Sequence, residues 1–192
     1  MSERMDSKIS SNPLHHAIGD MLGSMLTDQK DIALLKDPAC GGNQRIPLFC
    51  SKKRSRETEY CNVDLAIIKN NKVRVILEIE ESNVKPTQVC GKFLTSALSH
   101  YYTHGSSNGK PLKLGSKAAF IQILDNSKLK LDSRKVKQWT TLERSIQSML
   151  PIKGSSITRY KLMHTSINEA NDKKSKFNKQ LTSMIKALTR IS

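Results

Sequence analysis

Between residues 13 and 28 the apolar positions Leu14, Ile18, Leu22, Met25 and Leu26 recur at the spacing of one helix face, and Asn12-Pro13 is a suitable helix start. The period then shortens. Residues 45–51 (RIPLFCS) predict a short strand, assigned to a sheet edge because Pro47 has no N–H for a ladder. Residues 63–69 (VDLAIIK) and 72–81 (KVRVILEIEE) are both strand-like, and Asn70-Asn71 between them predicts a hairpin. A helical stripe follows Pro86 at Val89, Cys90, Phe93, Leu94, Ala97, Leu98 and Tyr101. Residues 37–43 and 104–116, rich in Gly, Pro or Ser, read as loops. Residues 117–124 (KAAFIQIL) predict a third core strand, 133–150 a helix on Val136, Trp139, Leu142, Ile146 and Met149, and 157–165 a further strand. A basic terminal helix is expected over 168–192, with Phe177, Leu181, Met184, Ile185 and Leu188 on one face, while the polar residues 1–12 are expected to fray. Helix, strand, hairpin, helix, strand, helix is the order of an α/β (α+β) fold, a mixed central sheet flanked by helices in one domain over 1–192.

Alternation along the second hairpin strand exposes its chemistry. Val73, Val75, Leu77 and Ile79 point to one face, and Arg74, Ile76, Glu78 and Glu80 to the other. A hairpin sets the beginning of one strand beside the end of its partner, so with the turn at 70–71, Asp64 falls near residue 77 or 78. Three carboxylates then converge. Like charges at that density raise one another's proton affinity or draw in a cation. An all-oxygen donor set suits Mg²⁺, or Mn²⁺ in its place, and such an ion activates water and neutralises charge on a phosphodiester. The plainer reading of the same residues is a solvated acidic strand end.

Charge changes the picture further. The chain of 192 residues has a net charge of +15, and residues 126–192 hold fifteen Lys/Arg against four Asp/Glu. A surplus of this size favours a polyanionic partner. Lys52, Lys53, Arg54 and Arg56, just upstream of the acidic hairpin, either clamp phosphates or form a solvated loop. Lys173 and Lys174 in the terminal segment either follow a DNA backbone or sit on an ordinary basic helix face. A basic surface around an acidic metal pocket is self-consistent for a nuclease. No stretch approaches the roughly 18 apolar residues of a membrane span, and the N-terminal residues hold no apolar signal region, so a soluble, cytoplasmic protein is expected. The four cysteines (40, 50, 61, 90) form no CxxC pair and are expected to be reduced. The His100/His104 spacing has no third ligand nearby, and there is no phosphate-binding loop motif.

Asp64, thirteen intervening residues and then Glu78-Ile79-Glu80 resemble the motif of the PD-(D/E)XK nuclease superfamily, over roughly residues 60–102. That superfamily includes type II restriction endonucleases, Holliday-junction resolvases and repair nucleases. The resemblance implies a restriction-endonuclease-like core and a Mg²⁺-dependent endonuclease acting on double-stranded DNA, with Asp64 and Glu78 holding the metal. Glu80 stands where the motif lysine would be, as in a subgroup of restriction enzymes. It is the first choice to orient the attacking water, and Lys92 on the next helix is the second. Asp20 on the first helix is an additional acidic candidate, with Glu59 and Glu57 behind it. A stand-alone type II restriction endonuclease fits the length best, and a palindromic target would require a homodimer. A resolvase or repair nuclease of the same superfamily is the nearest rival, and a catalytically inactive DNA-binding relative is the rival from another class.

Overall fold

The switches of hydrophobic period become two sheets with helices packed around them. The computed structural model describes residues 12–81, 84–105, 109–130 and 133–190; apart from Asn12, the segment expected to fray lies outside the described residues. Helix α1 spans Pro13–Leu26, with Leu14, Ile18, Leu22 and Leu26 buried. Strand β1 (Ile32–Lys36) and a 3-10 turn (Pro38–Cys40) follow, then β2 (Ile46–Phe49), β3 (Glu59–Val63), β4 (Leu65–Lys69) and β5 (Lys72–Glu80). After α2 (Pro86–Ala97) come β6 (Tyr101–Tyr102), β7 (Leu112–Lys113), β8 (Ala118–Asp125), α3 (Arg134–Ser148), β9 (Ile157–Thr165), α4 (Ile167–Asn171) and α5 (Lys176–Thr189).

The main sheet is mixed, in the order β1-β4-β5-β8-β9, antiparallel from β1 to β5 and parallel from β5 to β9. A smaller antiparallel sheet has the order β3-β2-β6-β7. One apolar cluster, with Val89, Phe93, Phe120 and Trp139, lies on the α2/α3 face of the main sheet. A second, with Ile18, Leu77, Ile121 and Leu181, lies on the α1/α5 face. No described helix is long and apolar enough to cross a membrane.

The β4–β5 hairpin turns on Asn70 and Asn71, both left-handed (φ 52° and 57°), as a two-residue turn matching strand twist requires. Its register, Leu65 opposite Leu77, places Asp64 beside the end of β5. Several expectations are corrected. The strand expected over 63–69 breaks at Asp64, so that Val63 pairs in the small sheet and Leu65 in the large one. Between Val73 and Val75, Arg74 is an extra residue opposite Ile67 and Ile68. This bulge moves Val73 to the α2 face, whereas Val75, Leu77 and Ile79 keep the α1 face. β2 is not an edge strand. The Pro47 carbonyl accepts from Thr103 N–H, so its missing donor faces two-residue β6, where pairing ends at Leu48–Tyr102. The helical stripe after Pro86 is rotated: Val89, Phe93, Ser96 and Ala97 are buried, Leu94 and Leu98 are exposed, and Tyr101 belongs to β6. Met149, expected on the apolar face of α3, is exposed.

The terminal helix is two helices, and residues 191–192 lie outside the described residues. Asn178 causes the break. Its Nδ2 donates to the carbonyls of Glu169, Ala170 and Asp172, which close α4, while Ser175 Oγ accepts from Asn178 N–H and opens α5. The free edge of β9 is covered from α3: Glu143 Oε1 accepts from Leu162 N–H at 3.1 Å, and Gln147 Nε2 donates to Tyr160 O. That closes two positions at which another strand would pair.

Candidate active site

Three elements meet at the end of β5. β5 presents Glu78 and Glu80 on its α2 face, since side chains two apart share a side. Asp64 sits at the joint between the two sheets. There its Oδ2 accepts from Ile79 N–H at 2.6 Å, taking the place of a ladder bond that β4 no longer supplies. From α2, Lys92 lies one turn beyond Gln88, and its Nζ stands 2.6 Å from Glu78 Oε2 and 2.8 Å from Glu80 Oε1. Gln88 Nε2 donates to Glu80 Oε2 at 3.4 Å. Asp64, Glu78, Glu80 and Lys92 are therefore brought together.

A residue that the sequence reading did not single out completes the group. His15, on the first turn of α1, has Nδ1 2.6 Å from Glu81 Oε1 and Nε2 3.6 Å from Asp64 Oδ2. The seat of α1 follows from Gly19, one turn on. A Cβ there would lie 2.3 Å from the Cys40 carbonyl, so only glycine lets the helix meet the 3-10 turn. That turn begins at Asp37, which donates its N–H to Asp64 O and accepts from Cys40 N–H through Oδ1. His15 was hidden because histidine on a helix has no signature without its partners, and Glu81 lies 66 residues away.

The electrostatics are those of an anionic pocket. Burial and the neighbouring Asp64 hold the Glu78 carboxyl well above the usual carboxylate range, with Lys92 working against them. Glu78 is fully buried, and its Oε1 has no hydrogen-bond partner. Burial also pushes Asp64 upward, but the adjacent His15 ring and the Lys92 charge outweigh it and leave Asp64 below its ordinary value. Burial works against the charged form of Lys92, yet the Glu78 and Asp64 charges hold it above the usual lysine value. His15 follows the same pattern: burial lowers it, and the neighbouring carboxylates of Asp64 and Glu81 raise it on balance. Asp37 is raised by burial, with a contribution from Asp64. Five carboxyl groups (37, 64, 78, 80 and 81) thus surround the Lys92 ammonium and the His15 ring. Among the described residues no group of three or more His, Cys, Asp or Glu side chains is arranged to hold a metal ion. In this arrangement Lys92 and His15 offset part of the negative charge.

The other acidic candidates lie elsewhere. Asp20 is on the exposed side of α1, paired with Lys36 at 3.5 Å, because it is five residues from His15 and faces away. Glu59 opens β3, at the end of that strand remote from Asp64. There it accepts from Asn62 Nδ2 and stands 3.9 Å from Arg45. Glu57 is exposed in the preceding turn. Lys52, Lys53, Arg54 and Arg56 are exposed on the β2–β3 loop, beyond the five residues of β3, on the order of 15 Å from the carboxylates. Lys173 and Lys174 are exposed between α4 and α5. All four cysteines are free thiols.

Set against protein-family models, curated proteins and solved structures, the chain matches none of them.

Proposed function

We propose that this protein is a Mg²⁺-dependent DNA endonuclease of the PD-(D/E)XK kind, with its centre at Asp64, Glu78 and Lys92. One observation supports this above the rest: the Lys92 ammonium reaches the glutamates of β5 from α2. A lysine displaced from the motif strand onto the following helix arrives at the same carboxylates and leaves Glu80 where the motif lysine would stand. The preference for Glu80 over Lys92 is accordingly reversed: Lys92 is the cation that orients water, and Glu80 positions it.

Carboxylate oxygens such as those of Asp64 and Glu78 are the donor type that Mg²⁺ or Mn²⁺ takes, with water and phosphate oxygens completing the set. Glu78 Oε1 is a buried carboxyl oxygen without a donor, which is costly unless a cation meets it, and Asp64 beside it is held in its charged form. Asp64 and Glu78 would hold the ion, and the ion would supply Lewis-acid stabilisation of the phosphodiester. Lys92 keeps a positive charge where the attacking water and the phosphate oxygen must be placed. His15 stands between Asp64 and Glu81, one ring nitrogen facing each. The charge of +15 draws a polyanion to the surface around a pocket that holds five of the seventeen acidic residues.

Within this class we favour a stand-alone, cytoplasmic type II restriction endonuclease acting as a homodimer on double-stranded DNA. The test is incubation of supercoiled plasmid and linear mixed-sequence DNA with the protein in Mg²⁺, in Ca²⁺ and in EDTA. The proposal expects discrete fragments in Mg²⁺ only, and loss of cutting in Asp64→Asn and Lys92→Met with DNA binding in Ca²⁺ retained. Preference for branched DNA would redirect the assignment to a resolvase. Binding without cutting under every metal condition would leave a non-catalytic DNA-binding protein and refute the enzyme.

A further inference from the structure

A second charged feature lies at the other end of the main sheet and has no part in the nuclease reading. The β4–β5 turn, the starts of β8 and β9 and the end of α5 enclose a cleft of about 620 Å³. Five cationic residues line it: Lys69, Arg74, Lys117, Arg159 and Arg190. Among the described residues only Lys69 has a carboxylate partner, Asp31 at 3.1 Å. Arg74 and Glu80 are six residues apart on β5, so the cleft is roughly 20 Å from the acidic centre and serves a different ligand or a different part of one.

The backbone at this cleft is unusual in the same place. Asn70, Lys117 and Arg190 all have positive φ (52°, 66° and 54°), and all three line it. Glycine relieves such positions, and Arg190 closes α5 at the left-handed site where glycine is the common choice. Lysine and arginine stand there instead, at a conformational cost, and both add charge to the same concavity. The carbonyl end of α5 would oppose an anion. It is partly answered: Arg190 N–H donates to Lys186 O, and Lys69 Nζ donates to Arg190 O at 3.5 Å. Pro151 and Leu188 supply an apolar wall beside the cations. The size lies within the range of about 300–1,000 Å³ typical of small-ligand sites.

We infer that this cleft binds a small polyphosphate ligand of the nucleoside di- or triphosphate class, its phosphates held by Arg74, Lys117, Arg159 and Arg190 and its ring against Pro151 and Leu188. The inference does not depend on the nuclease reading. Calorimetric titration of the full chain with inorganic pyrophosphate, ADP and ATP tests it, with EDTA present so that no divalent ion brings a phosphate to the carboxylates. Saturable binding of all three probes is expected. Lys117→Gly and Arg190→Gly should each weaken it at least about tenfold, the equivalent of one lost charge-assisted hydrogen bond. Both changes relieve a left-handed residue, so their melting temperatures should be held or raised, which separates lost binding from lost folding. No binding up to ~1 mM of any probe, or equal binding by the glycine variants, would overturn the inference. So would a short DNA duplex that binds here, and is lost in the variants, while pyrophosphate and ADP do not bind.

Discussion

Replacing Glu78 by Gln tests whether the carboxylate pocket is held against its own charge. Glu78 is fully buried, beside Asp64, with one oxygen on Lys92 and the other without a partner. Gln has the same shape and can still accept from Lys92 through its carbonyl, while Lys92 keeps Glu80 at 2.8 Å. The folded-state pKa of Glu78 is raised. The native state therefore binds the proton more tightly than the unfolded chain, and stability is lost as pH rises from the unfolded value through the folded one. The loss is about 1.4 kcal/mol for each pH unit traversed in that window. Gln does not titrate and removes it. Lys92 is one-third exposed, so the attraction forgone on that side is partly screened. The balance for metal-free protein is a gain of about 1–2 kcal/mol near pH 8, shrinking towards zero near pH 5. For a chain of this length that is a rise of roughly 2–4 °C in melting temperature per kcal/mol. Thermal unfolding in EDTA at both pH values is the assay. A fall of several degrees in Glu78→Gln, equal at the two pH values, would mean that Glu78–Lys92 is an ordinary structural ion pair, and the reasoning would fail.

Lys92→Met should lower single-turnover cleavage by at least about 100-fold, and Glu80→Gln by about 10-fold, because Glu80 acts through Lys92; the reverse order would return the water-orienting role to Glu80. In metal-free protein, histidine ring NMR titrations should move apart: His15 above the ordinary histidine midpoint, and His164, lowered by burial, below it. By linkage, His15 stabilises the fold below its unfolded pKa and loses that contribution as pH rises through its folded one, while His164 stabilises above its unfolded pKa and loses it as pH falls. A common midpoint for the two rings would contradict the described contacts. Asn178→Ala should cost roughly 2–3 kcal/mol in urea unfolding, since three carbonyls lose one buried donor; a loss below about 0.5 kcal/mol would mean that Asn178 does not hold α4 against α5.

The hairpin and its acidic end were legible because they are local. A two-residue Asn turn fixes register, and register fixes which carboxylates adjoin. Strand β8, helix α3 and strand β9 were legible from their periods. β1 was missed: its apolar run is only four residues long, Ile32 to Leu35 between Asp31 and Lys36, and only pairing with β4 declares it a strand. Leu94 and Leu98 misled because a period identifies a face without saying which part of it meets the sheet. The break in the terminal helix depends on Asn178 reaching back to three carbonyls, a contact no apolar pattern records. At the site, Lys92 was visible as an alternative by its distance from Gln88 along the helix, while its preference for both glutamates needed α2 laid across β5. His15 needed the whole fold, since α1 brings it to Asp64 only once the helix is packed on the sheet and against the turn at Cys40, a close approach that Gly19 permits.

The most direct test of the metal-centred account is crystallographic. The protein should be crystallised with a DNA duplex and Mn²⁺, and anomalous scattering recorded at the manganese edge. The account predicts a manganese peak in contact with the carboxyl groups of Asp64 and Glu78, adjacent to a phosphate, with Lys92 directed at the same phosphate. Ordered DNA over this face with no peak there, and Lys92 still locked between Glu78 and Glu80, would contradict it.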